Sequence, residues 1–451
     1  MLPCPVPRSK ASKYKTMLKE TLKKIIARIL RAEAELIILK YKPHVIGVTG
    51  NVGKTSTKDA IYAVLKTSFV VRKSPKTLNT ELGVPLTILG CQSGWNNPFT
   101  WLYNILYGLV IIIFPHEYPK WLVLELGADR PGDIQSLARW LPLEFAVITS
   151  IGEVPTHIEF FKDKEELAKE KSYIIDALVK GGQLILNADD AMVLKMKGKN
   201  THPTTTYGFA DAADVRASHE KIVYANKDGH ELPEGMSFKV DVAGKSVPVK
   251  MKGIFGKHHI YSALAAIAVG NALGINLVKI AEALEDFEKA PGRLRLIEGE
   301  KDTMILDDTY NASPLATEKA LESLSEIKVE GRKILAMGDM LELGEFTIGE
   351  HEKVGRQSAK VCEYLITAGQ RAKYIADGAR EAGMHPDKIQ LFDTAHEAGK
   401  ALELLIKPGD LILVKGSQGM RMERVVEEIM THAEDAEKLL VRQEKEWRAK
   451  D

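Results

Sequence analysis

The sequence predicts an α/β protein: a central P-loop domain built on a doubly wound, mostly parallel sheet, then a C-terminal Rossmann-like α/β domain, with an amphipathic helix at the N-terminus. Three observations carry this. Short apolar runs alternate with helical patterns from residue 44 onward, as expected of strands joined by crossover helices. A glycine-rich turn separates the first run from its helix, at Gly50-Asn51-Val52-Gly53-Lys54-Thr55-Ser56. The alternation restarts after "APGRLR" at 290–295, which implies a separate domain of ~150 residues.

In chain order, residues 15–40 place Leu18, Leu22, Ile25, Ile26, Ile29 and Leu30 at helical spacing with Lys and Arg opposite them. Such a helix packs on the next domain or touches an anionic membrane or a partner. Residues 1–43 hold eleven basic side chains against three acidic ones. A strand is expected at 44–49 and a helix from Lys54. The run "PFTWLYNILYGLVIIIFP" (98–115) falls short of the ~20 residues that span hydrocarbon. It reads as a buried or partly exposed helix of the globular domain, with peripheral membrane contact as the other reading. Strands follow at 121–127 and 145–151, a helix near 164–180, and a strand at 183–189. Residues 203–252, rich in Thr, Gly, Val and Asp, read as a small β-rich insertion before a helix at 258–275. The second series has strands at 304–310, 333–339, 362–369, 388–394 and 410–417. The expected division is 1–43, 44–290 and 291–451.

A chain of 451 residues, 45% hydrophobic and 27% charged, has room for two to four soluble domains. Its 62 Lys and Arg balance 61 Asp and Glu, so a broad grip on nucleic acid is not indicated. Cys4, Cys91 and Cys362 form no CxxC pair, and no secretory leader pattern is present, which fits a cytoplasmic protein. A monomer is expected.

The turn at 50–56 follows an apolar strand and opens a helix, the context in which backbone N–H groups and a helix N-terminus surround phosphate oxygens. Lys54 would neutralise charge there and a hydroxyl would reach Mg²⁺. Gly47 lies one residue too far upstream for the strict G-x-x-x-x-G-K pattern, so the loop is a variant form. Glu125 closes the strand at 121–127, on the sheet edge where such folds bind ligands. Opposite a phosphate loop its natural partner is Mg²⁺; alone it would read as a turn residue. His157 follows the next strand on the same edge, and reads equally as a site or a structural histidine.

Several segments together resemble the Mur ligases, most closely the MurF type: "TGNVGKTSTK" (49–58), "LNTELGVPLTIL" (78–89), "LELGADRPGDI" (124–134), "ITSIGEVPTHIEFF" (148–161), "GKHHIYSALAAIAV" (256–269), "PGRLR" (291–295), "DDTYNASP" (307–314), "GDMLELGE" (338–345) and "VKGSQGMRME" (414–423). The resemblance covers roughly residues 44–430 and implies an ATP-dependent amide ligase. In that chemistry a substrate carboxylate takes the γ-phosphoryl group, and an amine displaces phosphate from the acyl phosphate. It further implies that Gly50, Asn51, Val52, Gly53, Lys54, Thr55 and Ser56 hold ATP phosphates. Thr55 and Glu125 would hold one Mg²⁺, and His157 and a carbamoylated Lys171 a second. Lys171 on its own pattern is a solvated helix charge. His258, His259, Arg293 and Asp308 would contact the nucleotide. Asn79, Thr80, Tyr310, Asn311, Lys415 and Ser417 would line the substrate side.

The sequence departs from the family pattern at three motif positions and, most of all, at the N-terminus. The usual His-Asn pair is His258-His259, a second Asn of that helix is Ser262, and the Arg after "KGS" is Gln418. A standard MurF carries a UDP-binding domain ahead of the phosphate loop, where this sequence offers 43 residues. The implied substrates are a UDP-MurNAc peptide and D-Ala-D-Ala. The alternatives are a non-UDP acid, such as a cofactor precursor or pseudomurein peptide, or a P-loop NTPase that drives a partner.

Overall fold

The computed structural model describes residues 10–75, 78–95, 97–152, 158–199, 201–227, 230–285, 287 and 290–448. It opens with a long helix, α1 (Lys10–Tyr41), followed by β1 (His44–Thr49), α2 (Lys54–Leu65) and β2 (Val71–Lys73). Then come α3 (Gly83–Leu89), α4 (Pro98–Ile113), β3 (Trp121–Glu125), α5 (Asp133–Ala138) and β4 (Leu143–Ile148). After α6 (Lys164–Ser172), β5 (Leu178–Asn187) and the single turn α7 (Ala191–Leu194), the chain runs through β6 (Thr204–Gly208), β7 (Val215–Lys227), β8 (His230–Val242) and β9 (Lys245–Lys252). Helices α8 (Lys257–Ala272) and α9 (Leu277–Glu285) complete this half.

Its nine strands form one sheet in the order β2-β3-β1-β4-β5-β6-β7-β8-β9. Strands from β2 to β7 are parallel; β7, β8 and β9 are antiparallel. The expected β-rich insertion is therefore a continuation of the main sheet, because β6 pairs in parallel with β5. The helix expected near 164–180 stops at Ser172, where Tyr173-Ile174-Ile175 form a 3₁₀ turn and the chain enters the sheet at Leu178. β-Branched and aromatic residues are weaker helix formers. Central strands are buried on both faces, which is why they read as continuous apolar runs. One face packs on α2, α8 and α9, the other on α1, α3, α5 and α6.

The second half holds β10 (Arg295–Gly299), β11 (Thr303–Asp308), α10 (Pro314–Glu326), β12 (Lys333–Gly338), α11 (Thr347–Ser358), β13 (Tyr364–Ala368), α12 (Lys373–Glu381), β14 (Ile389–Phe392), α13 (Ala395–Leu405), β15 (Leu411–Lys415) and α14 (Glu423–Ile429). The sheet order is β10-β11-β15-β12-β13-β14, parallel except for the edge strand β10. Helices α10 to α12 cover one face, α13 and α14 the other.

Helix α4, the membrane-like run, lies on the surface. Only Asn104, Gly108 and Ile111 are buried among its residues, a stripe one side chain wide that docks on α1 and α3.

Candidate functional site

β1 delivers the chain to the C-terminal edge of the first sheet, and the phosphate loop turns there. Gly50 sits at φ +139°, and a Cβ on it would run into the Thr149 hydroxyl, so glycine is required. The end of β4 braces the loop: Asn51 N–H donates to the Ser150 carbonyl at 2.6 Å, and the Thr149 hydroxyl donates to the Val52 carbonyl at 2.7 Å. Gly53, at φ +87°, begins α2. The Lys54 ammonium folds back onto the Gly50 carbonyl at 2.8 Å.

Thr55, one residue on, donates its hydroxyl hydrogen to Glu125 Oε2 at 2.9 Å. Glu125, 1% exposed, also accepts from Asn79 Nδ2 at 3.1 Å, while Lys58 approaches to 3.8 Å. Register explains the meeting: Glu125 pairs with Val48, the second-last residue of β1, so both strands release their chains at one edge.

Lys171, on α6, is 1% exposed and faces the same cleft. Burial and the neighbouring Lys54 charge push its ammonium well below the usual lysine range, against the opposing pull of Asp129 and Glu170. Burial likewise lowers Lys54, opposed by Glu125, reinforced by Arg293 and opposed again by Asp129. A positive charge beside a desolvated ammonium disfavours its charged form, as Lys54 does for Lys171. Glu170, next to Lys171, accepts from the backbone N–H groups of Gly132, Ile134 and Gln135 at 2.7–3.1 Å and so ties α6 to the start of α5.

The second half reaches over this edge. Arg293 Nη2 donates to Thr55 Oγ1 at 3.3 Å, with its guanidinium 3.9 Å from the Tyr310 ring centre. Leu294 N–H donates to Asp308 Oδ1 at 3.1 Å. Asp308 Oδ2 holds the Lys415 ammonium at 2.6 Å, and Lys415 donates to the Asn311 carbonyl at 3.0 Å. This pair fixes the ends of β11 and β15 and thereby aims Arg293, Tyr310 and Asn311.

Most residues singled out from sequence converge. A cavity of about 570 Å³ is lined by Asn51, Gly53, Lys54, Thr55, Asn79, Glu125 and Lys171 from the first half, and by Arg293, Tyr310, Asn311 and Ser417 from the second. A neighbouring cavity of about 590 Å³ begins at Val52 and Gly53 and runs past His258, Tyr261 and Ser262 to Asn187 and Asp189. Gly50, Ser56, Thr80, His259, Asp308 and Lys415 line neither cavity. Thr80 accepts from Gly83 N–H at the start of α3, and His259 is buried in α8. His157 lies outside the described residues. Sequence reasoning missed Asp129, which acts on both lysines, and Trp447, which walls the cleft from the C-terminal segment. Asp129 stood in the segment "LELGADR" without a spacing to mark it.

Comparison with known proteins agrees with this arrangement. The Mur ligase middle domain matches residues 48–270, and the glutamate ligase domain of Mur ligases matches 292–418. The UDP-N-acetylmuramoyl-tripeptide–D-alanyl-D-alanine ligase of Bacillus subtilis is 30% identical over 402 residues, covering 89% of this chain and 79% of the relative. A crystal structure of MurF from Acinetobacter baumannii superposes with TM-score 0.72 at 25% identity, covering 88% of this chain and 79% of the other. The MurF ligase of Thermotoga maritima in complex with ADP gives 0.71 at 27% identity, covering 89% and 83%.

Proposed function

The chain belongs to the Mur ligase family and is an ATP-dependent peptide ligase of the MurF type, and on that premise we propose that it joins D-alanyl-D-alanine to a UDP-N-acetylmuramoyl tripeptide in peptidoglycan precursor synthesis. One observation carries the reading. Lys54, Thr55, Glu125 and Lys171 from one half share a single cavity with Arg293, Tyr310, Asn311 and Ser417 from the other, as a reaction between a nucleotide, an acid and an amine requires.

In this reading residues 44–290 hold ATP, with its phosphates over the loop and its base toward the cavity at His258. Residues 291–451 close over it, and α1, ahead of both, packs on the sheet of the first half. The acid's carboxylate oxygen attacks the γ-phosphorus, the bond to ADP breaks, and an acyl phosphate forms. The amine then attacks the acyl carbon, the C–O bond to phosphate breaks, and the amine's proton leaves with solvent or phosphate. Lys54 and Arg293, which line the same cavity, offset the charge that builds on the transferring group.

The residues present fit Mg²⁺: the Thr55 hydroxyl and the buried Glu125 carboxylate are hard oxygen donors 2.9 Å apart at the cavity wall. Among the described residues there is no cluster of three His, Cys, Asp or Glu, which suits an ion that keeps few protein ligands besides phosphate and water. When bound, the ion neutralises phosphate charge. The lowered pKa of Lys171 supports its carbamoylation, since only the free amine attacks CO₂; the N–C bond forms, one proton is lost, and a neutral amine becomes an anionic oxygen ligand.

The test is incubation of the protein with ATP, Mg²⁺, UDP-MurNAc-tripeptide and D-Ala-D-Ala, read by mass spectrometry. The pentapeptide product together with ADP and phosphate is expected. Phosphate release that ignores both substrates, or that responds only to a different acid, overturns the substrate assignment.

A further inference from the structure

Twelve of the 23 large hydrophobic side chains exposed among the described residues lie on two neighbouring helices, α1 and α4. On α1, Leu22, Ile25, Ile29, Leu36 and Leu39 recur at intervals of three, four, seven and three, one stripe along the helix. On α4 the exposed face runs from Phe99, 79% exposed, through Leu102, Leu106 and Val110 to Ile113, 67% exposed. The helices lie side by side in the same direction, for Glu33 meets Gly108 and Lys40 meets Ile111. Glu33 and Lys40 flank the α1 stripe on the helical wheel, so the two stripes merge into one patch. At about half exposure per side chain it presents on the order of 1,000 Å² of apolar surface, well beyond what a soluble monomer leaves to water.

Helix α4 is also equipped to lose its water. The Asn97 side chain accepts from Phe99 and Thr100 N–H at its start. At its end the Lys40 ammonium donates to the carbonyls of Ile111, Ile112 and Phe114 at 2.7–2.9 Å, and the Tyr41 hydroxyl donates to that of Ile111. Helix ends ordinarily leave such groups to solvent, and hydrocarbon does not tolerate them unpaired. No ionisable side chain except tyrosine occurs from Pro98 to Phe114. The face offers little hydrogen-bonding capacity for a protein partner, whose interfaces carry about one hydrogen bond per 100–200 Å². On α1, Lys23, Lys24 and Arg28 are exposed around Leu22, Ile25 and Ile29, whereas Glu35 is paired with Arg31.

We propose that this patch is a monotopic docking surface for an anionic lipid bilayer, with α4 lying in the interfacial plane and the basic residues of α1 meeting the headgroups. No helix among the described residues is long and apolar enough to cross a membrane, and the buried stripe at Asn104, Gly108 and Ile111 keeps α4 bound to the domain. An amphipathic surface of this composition binds by apolar insertion plus attraction to acidic headgroups.

Flotation of the full-length protein with vesicles tests it without reference to catalysis. Binding is expected to vesicles of phosphatidylcholine with roughly one quarter phosphatidylglycerol, and to weaken between about 0.1 and about 0.5 M salt. Leu106→Glu with Ile113→Glu should abolish flotation. Lys23→Gln, Lys24→Gln and Arg28→Gln together should weaken it on the order of 100-fold, at about tenfold or less per charge. Unchanged nucleotide turnover and melting temperature in both variants exclude misfolding. Failure of the parent protein to float overturns the proposal, as does dimerisation by light scattering that the Glu variants abolish while vesicles remain unbound.

Discussion

The carboxylate of Glu33 should destabilise this protein at neutral and higher pH. It is 4% exposed, and neither oxygen has a hydrogen-bond partner among the described residues; it abuts Gly108 between α1 and α4. Burial raises its pKa from 4.5 to about 7. The unfolded chain therefore releases this proton first as pH rises. Between those two values the folded state binds more protons, so stability falls with pH and levels off above about 7. At ~1.4 kcal/mol per unit the loss is about 3 kcal/mol. Glu33→Met keeps length and helix propensity and removes the charge. It should raise the unfolding temperature of the nine-stranded half by about 6–12 °C at pH 8, given roughly 2–4 °C per kcal/mol for units of about 150–250 residues. The gain should shrink steadily toward pH 4.5. Scanning calorimetry of both proteins across that range is the assay. Equal melting temperatures at pH 8, or a gap independent of pH, would refute the reasoning by showing that Glu33 has a partner or is already neutral.

Three further expectations concern the cleft and the second half. Lys171→Ala should abolish ligation, measured as substrate-dependent phosphate release, and short carboxylic acids should restore part of it by replacing the carbamate; full activity in the alanine variant removes Lys171 from the site. Glu125→Gln keeps the shape of the side chain but loses its charge, and should raise the Mg²⁺ concentration for half-maximal activity by at least about tenfold, with an unaltered Mg²⁺ titration as the opposing result. Gly355→Ala would drive a Cβ from α11 into the Ile375 carbonyl and within 2.7 Å of Ala379 N on α12, at a cost of about 1–3 kcal/mol in urea titrations; a neutral effect would mean that these helices slide apart freely.

Much of the fold was legible because its central strands are buried on both faces and read as apolar runs: β1, β3, β4, β11, β12, β13 and β15 all fall where the pattern put them. Two features escaped for physical reasons. β10 is an antiparallel edge strand whose "RLIEG" alternates too briefly to register against its surroundings. The exposure of α4 was unreadable because hydropathy alone does not distinguish a helix wrapped in protein from one turned outward. In the site, the phosphate loop and Glu125 announced themselves by their place at strand ends. Lys171 did not: α6, "KEELAKEKS", has a polar composition, and only the family resemblance marked that lysine before packing revealed its burial. Asp308 and Lys415, for which the family resemblance implies ligand contacts, also pair with each other at the ends of β11 and β15, a structural link that no sequence pattern marks.

Three of the five tryptophans form a relay from the wall of the cleft to α4. Trp447 walls the cleft and meets the Trp95 ring edge-on at 6.3 Å, and the Trp95 carbonyl accepts from the Trp101 indole N–H on α4 at 3.0 Å. Any movement of the C-terminal segment away from the cleft separates the Trp447–Trp95 pair, and any shift of α4 strains the same loop from the other side. The wall of the cleft and the outer helix are thus joined through one set of indoles, so that a displacement at either would change their emission without a label.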